Sequence, residues 1–288
     1  MTGGDGFIGK PFDIYRLLTS KPALVMENDD YLVTLRDRAA AYAGTLKSKR
    51  HELAKPEFWY PYGSISNFLH IEMLLTGTNR NLLCEIDPKR AADIGAADGD
   101  MSFFLEQEGW DMTIIDNPST NWNGLKGAKL FRDATGSKVR IEEMDLDSQF
   151  RLSETYQLVF MMGILYHLKN PFYFLEQLSK SAMYAIISTR IMRWSGPAEQ
   201  QITGSHSRGT RQLMEHLPVA YLLGPNECNN DRTNYWIFSD AGLRRILDRA
   251  QWDIKDYRII GDAHEADPFT AEHDARAFCL VQSRRPPR

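Results

Sequence analysis

The sequence predicts an α/β domain: a Rossmann-like, mostly parallel sheet with an antiparallel edge strand, preceded by an N-terminal helical extension. Three observations carry this. From Lys89 onward, short apolar runs alternate with amphipathic stretches of helical period. The first of these runs, Arg90 to Ile94, ends in a glycine loop that opens onto a helical pattern. Residues 1–87 lack the alternation and read as helix and turn.

The chain of 288 residues is 43% hydrophobic and 11% aromatic, enough for a sizeable core and too apolar for dominant disorder. A net charge of −4 gives no general argument for nucleic acid. Local basic clusters (Lys47, Lys49, Arg50; Arg208, Arg211; Arg284, Arg285, Arg288) read first as solvated surface. Three scattered cysteines and seven histidines without ligand spacing give no metal site and no redox pair. No signal pattern and no apolar run of about 18 residues occurs, so no membrane span is expected and a cytoplasmic enzyme is the default.

The elements follow in order. Asp30 to Leu53 carries Leu32, Leu35, Ala39, Tyr42 and Leu46 at helical spacing. Lys55 to Gly63 is broken by Pro56, Pro61 and Gly63. Its Phe58 to Tyr62 aromatics could close over a compact acceptor or form core between the extension and the sheet, and Ser64 is placed to cap a helix to about Leu75. Strands are then predicted at Arg90–Ile94, Asp111–Ile115, Val139–Glu142, Gln157–Met162 and Tyr184–Ser188. Helices fall between them at Met101–Glu108, Asn121–Phe131 and Pro171–Ser179. The rhythm lapses over about 190–235, an insertion long enough for a lid or a substrate-facing segment. Ser239-Asp240 caps a further helix, and strands at Trp252–Ile260 and Arg276–Gln282 form an antiparallel pair at the edge. The division is thus 1–87, extension, and 88–288, ligand-binding domain.

The loop Asp93-Ile94-Gly95-Ala96-Ala97-Asp98-Gly99-Asp100 lies where doubly wound sheets bind ligands. A pyrophosphate cofactor needs glycines as G-x-G-x-x-G; counted from Gly95 the later positions are Ala97 and Asp100. Three carboxylates would repel phosphate and suit the cationic sulfonium and ammonium of S-adenosylmethionine. Asp93, Gly95, Ala97 and Gly99 are the expected contacts in this loop. Asp116, 23 residues after Asp93 and followed by Asn117, stands at a strand end where a carboxylate accepts from ribose hydroxyls. Asp145 and Leu146, after the third strand, are the candidates for the adenine.

The fourth strand runs into Met161-Met162-Gly163-Ile164-Leu165-Tyr166-His167-Leu168-Lys169-Asn170-Pro171. With the glycine loop, Asp116-Asn117-Pro118-Ser119 and Tyr235 to Ser239, this resembles class I S-adenosylmethionine-dependent methyltransferases of the tRNA wobble-uridine-5-oxyacetate synthase type, over roughly 88–283. The resemblance implies that Met162 and Tyr166 line the cofactor pocket and that Gly163 keeps the strand end open. It also implies that Arg276 resembles an arginine contacting a carboxylated cofactor. Residues 58–75 lack the lysine and tryptophan that hold the extra carboxylate, so ordinary S-adenosylmethionine is expected rather than carboxy-S-adenosylmethionine. His167 is a general-base candidate, set against a role in orienting its loop; Tyr166 is its catalytic neighbour.

Three functions follow: SN2 methyl transfer to an O or N of a small-molecule acceptor, tRNA modification through a basic surface including Lys47, Lys49, Arg50, Arg208 and Arg211, or a non-catalytic cofactor-binding module. The first is the expectation.

Overall fold

The computed structural model describes residues 30–196 and 211–285. Arg208, Arg288, the glycine-rich start and residues 197–210 of the 190–235 stretch lie outside the described residues. Helix α1 (Tyr31–Leu53) buries Leu32, Leu35, Ala39, Tyr42 and Leu46, the predicted stripe. Helix α2 (Asn67–Leu74) begins later than expected. Ser64 does not cap it: its carbonyl accepts from Asn67 N at 3.1 Å in a tight turn, and Ser66 takes the cap position. A short α3 (Leu82–Glu85), which the sequence reading missed, leads into the sheet.

The sheet is built from β1 (Arg90–Ile94), β2 (Asp111–Asp116), β3 (Arg140–Glu143), β4 (Tyr156–Met162), β5 (Ala182–Met192), β6 (Ala220–Leu222), β7 (Trp236–Ser239), β8 (Trp252–Gly261) and β9 (Ala275–Ser283). The helices α4 (Asp100–Gln107), α5 (Lys126–Thr135), α6 (Pro171–Leu178) and α7 (Asp240–Arg249) connect them. Across the main body the order is β3-β2-β1-β4-β5-β9-β8, parallel from β3 to β5 and antiparallel at β9 and β8. The fold is therefore the Rossmann-like sheet with an antiparallel edge that the sequence predicts.

Alternate residues of each buried strand enter opposite cores. Ala91, Ile114, Leu158 and Ile186 face α1, α2, α4 and α5 with Phe103, Phe104 and Phe131. Ala92, Ile115, Val159 and Ile187 face α6 and α7 with Phe174, Leu243 and Trp252. Leu146 belongs to this second core.

Two departures bear on the site. Strand β5 runs four residues past its expected end at Ser188, which puts Arg190 inside a strand. Beyond Ser188, where pairing with β4 stops, β7 takes over that side at Ile191 and Met192, and β6 pairs with β7. Both short strands went unpredicted within or beside the irregular 190–235 stretch. Helix α5 starts at Lys126 rather than Asn121 because Asn side chains capture the preceding amides. Asn121 Oδ1 accepts from Leu125 N at 3.0 Å, and Asn123 Oδ1 from Gly127 N at 3.2 Å.

Ser239 caps α7 as predicted, its fully buried Oγ accepting from Gly242 N at 2.9 Å while donating to the carbonyl of Leu217. Ser239→Ala leaves that amide unpaired and should cost about 1–2 kcal/mol in urea denaturation; a loss within error would show that water replaces the cap.

Candidate active site

Strand β1 leaves the sheet at Ile94 and turns through the glycine loop onto α4. Gly99, at φ +80°, is the N-cap of α4, and a Cβ there would lie 2.4 Å from Ile114 Cδ1, so only glycine fits both conformation and space. The three carboxylates of this loop do not act together. Asp98 and Asp100 turn away from the ends of the strands toward α1. Arg50 binds Asp100 directly, lies 3.6 Å from Asp98 Oδ2, and stacks on Trp59 at 4.8 Å from the ring centre. Asp98 also accepts from Tyr60 N (2.5 Å) and Asn123 Nδ2 (2.7 Å). Burial pushes Asp100 up to about 6 against the pull of Arg50. Asp93 alone of the three reaches the opposite side, at the ends of the strands.

That side is a cleft of about 560 Å³ at the carboxyl ends of β1 and β4. Asp93, Gly95, Ala97, Met162, Gly163, Tyr166, His167 and Arg276 all lie on its wall. Asp93 is buried, and desolvation pushes it up to about 7 although Ser102 Oγ donates to it at 3.0 Å. Gly163, at φ +76°, leaves a gap that a Cβ would fill: 3.3 Å from the Tyr166 hydroxyl and 3.5 Å from Arg276 Nη1. Arg276 Nη1 donates to that hydroxyl at 3.3 Å, and its Nε donates to Asp274 at 3.1 Å.

His167 stacks obliquely on Tyr166, ring centres 4.4 Å apart. Its Nδ1 meets the Thr233 carbonyl and hydroxyl, each at 3.0 Å. Burial lowers its pKa below the usual histidine value, opposed by the Thr233 carbonyl.

Other predicted site residues lie off the cleft wall. Gly99 is under α4. Asp116 spends three acceptor positions on its own loop: Ala97 N (3.2 Å), Asn121 Nδ2 (2.9 Å) and Asn117 N (2.7 Å). The side chain of Asn117 closes a turn with Ser119. Asp145 accepts from Asp147 N at 2.9 Å and from Ser148, whose hydrogen bond lowers its pKa. Leu146 is packed in the core.

The cleft also has walls from the aromatic segment and from the 190–235 stretch, whose individual residues the sequence did not single out. Tyr60 and Tyr62 approach from the aromatic segment, whose Trp59 instead goes to the core, and His70 comes from α2. Asp231 and Asn234 come from the loop before β7. The signal available for that loop was its Asn-Asn-Asp turn composition. A larger groove of about 920 Å³ runs along α1, but it meets the glycine loop only through Asp100, whose carboxylate Arg50 already occupies.

No protein-family model matches the chain, and no curated protein sequence matches it. Among solved structures, the N-terminal domain of EvdMO1 with SAH bound is similar over 84% of this chain and 96% of its own, at 14% identity and TM-score 0.49. The PH0226 protein from Pyrococcus horikoshii OT3 is similar over 80% and 97%, at 12% identity and TM-score 0.47. The glycopeptide N-methyltransferase MtfA is similar over 70% and 92%, at 14% identity and TM-score 0.46.

Arg50→Met removes the counter-charge of two buried carboxylates and should destabilise by about 3 kcal/mol at pH 8. In the parent protein Asp100 sits at about 6, and without Arg50 it takes up a proton more readily. The carboxyl is therefore largely neutral in both proteins at pH 5, and the loss should shrink there. Denaturant unfolding at both pH values checks this; a pH-independent loss would assign Arg50 to packing alone.

Proposed function

We propose that this protein is an S-adenosylmethionine-dependent methyltransferase acting on an O or N atom of a small-molecule acceptor. The observation that carries the reading is the cleft at the carboxyl ends of β1 and β4, with Asp93 on its wall and a cradle at Gly163. A buried carboxylate suits a cationic ligand and repels a pyrophosphate. The aromatic and thioether groups of Tyr60, Tyr166 and Met162 suit a sulfonium. The residues therefore fit the cofactor by charge and by shape.

Asp93, the Gly95–Ala97 backbone, Met162, Gly163 and Tyr166 would hold it, with Asp116 keeping acceptor capacity for a hydroxyl beyond its three loop bonds. Bound there, the group supplies an electrophilic methyl. Tyr60 and Tyr166 exclude water and orient the acceptor, so positioning and desolvation supply most of the rate. Ordinary S-adenosylmethionine is the cofactor in this reading, and Arg276 is left to Tyr166 and Asp274. A small acceptor is preferred to tRNA because three of the described basic residues are buried or already paired. Arg50 is buried, Lys49 pairs with Glu52, and Arg211 pairs with Glu265.

Titration calorimetry tests the proposal: S-adenosylhomocysteine and S-adenosylmethionine should bind and NAD should not. Affinity for the cationic donor should rise between pH 6 and 8 as Asp93 ionises near 7. Asp93→Asn should weaken binding roughly tenfold, about 1.4 kcal/mol; equal affinity would remove Asp93 from the site.

The same substitution has a stability signature of defined sign. Asp93 has a folded pKa of about 7 against 3.8 unfolded, so its contribution is full at low pH and lost as pH rises through that window. Ligand-free Asp93→Asn should therefore melt higher than the parent protein at pH 8 and show a smaller gain at pH 5. A lower Tm at pH 8 would contradict the desolvation argument.

A further inference from the structure

We propose that Asp231 and Thr233 are positioning residues that hold His167 with its proton on Nδ1 and Nε2 as the proton acceptor, and that the methyl acceptor is a hydroxyl. This rests on the methyl-transfer reading above and deepens it from an O or N atom to oxygen.

The direction of each hydrogen bond is fixed by chemistry. Thr233 Oγ1 lies 2.6 Å from Asp231 Oδ1, and a carboxylate only accepts, so the hydroxyl donates to Asp231. The Thr233 hydroxyl thus presents only lone pairs to His167 Nδ1, and the Thr233 carbonyl beside it can only accept. Both partners, each at 3.0 Å, call for a donor at Nδ1. A neutral imidazole protonated there carries its lone pair on Nε2, and Nε2 has no protein partner among the described residues. The 231–234 segment is itself tied down. Thr233 N donates to Asp231 Oδ1 at 2.8 Å, Asn234 Nδ2 to the Cys228 carbonyl at 3.1 Å, and Tyr235 N to the Tyr166 carbonyl at 2.8 Å. The loop is therefore locked to the turn that carries His167.

The charges around the ring are Asp231, which favours the imidazolium, and Arg276, which disfavours it, with the Tyr166 phenol stacked alongside. Burial outweighs the attraction of Asp231, so the imidazole is neutral near pH 7. Such a base has a purpose for one acceptor class in particular. An amine free base attacks with its own lone pair and gives up its proton to water afterwards. A thiol ionises near pH 8.5 unaided. A hydroxyl gains nucleophilicity only as its proton leaves, and needs a base aligned with that proton. In the balanced step the O–H proton passes to Nε2 while the oxygen pair forms the O–CH₃ bond. The S–CH₃ bond breaks, its electrons stay on sulfur, and the sulfonium becomes a neutral thioether. The imidazolium then returns its proton to solvent.

The first test needs no cofactor. In ¹⁵N-histidine-labelled protein, with His167 assigned by His167→Gln, Nδ1 should carry the proton and the ring should titrate below 6.5. Asp231→Asn should move that midpoint down by roughly a few tenths of a pH unit, through loss of the attractive charge. Thr233→Ser should retain the parent spectrum and Thr233→Val should not. A proton on Nε2, or a midpoint indifferent to Asp231→Asn, would overturn the positioning role. The second test uses methyl-labelled S-adenosylmethionine against panels of phenols, sugars, primary amines and thiols. Turnover should favour hydroxyl acceptors and fall about 100-fold or more in His167→Gln. Turnover confined to amines or thiols and unaffected by His167→Gln would overturn the acceptor class. Failure of S-adenosylhomocysteine to bind would sink the methyl-transfer reading, and the acceptor class with it; the NMR result judges the positioning role in either case.

Discussion

Asp98 and Asp100 leave water at the turn between β1 and α4, and the guanidinium of Arg50 makes that burial tolerable. Two carboxylates so close, each nearly inaccessible, would otherwise repel one another and take up protons. Arg50 comes from α1, outside the sheet, so one residue ties the helical extension to the glycine loop after β1. The consequences run outward. Trp59 is held against the guanidinium, Tyr60 is fixed by its amide to Asp98, and the aromatic segment is brought to the rim of the cleft.

This division of labour changes what the acidic loop means. Read as a string, Asp93, Asp98 and Asp100 form one negative field facing a cation. In three dimensions α4 begins at Gly99 and turns the last two toward α1, leaving Asp93 to face the cleft. In the proposed function, discrimination against pyrophosphate would thus rest on a single desolvated carboxylate rather than on three. A second wall, from Gly163 to His167, supplies the shape: a missing Cβ, a phenol held by Arg276, and an imidazole held by Thr233.

Much of this was legible in the sequence because it rests on local patterns. The stripe of α1, the ends of β1 and β4, the cap at Ser239 and the cleft positions from Met162 to His167 all follow from spacing or from a contiguous motif. What was not legible depends on contacts distant in sequence. Nothing near Arg50 announces a partner 50 residues away, and a basic cluster read as solvated surface is the ordinary outcome. Strands β6 and β7 are too short to show a period, and they form only because β5 outruns β4. Asp145 closes its own turn, a contact that its place after the third strand does not announce, since Asp readily captures nearby amides and hydroxyls.

In the proposed function the adenosyl ligand binds in the cleft bounded by Asp93 and Gly163. A crystal structure with S-adenosylhomocysteine tests it most directly. Density against the Gly95–Ala97 backbone, with the amino-acid portion beside Asp93 and the sulfur facing Gly163 and Tyr166, is the predicted result. Density in the groove along α1, or an empty cleft at saturating ligand, would contradict it.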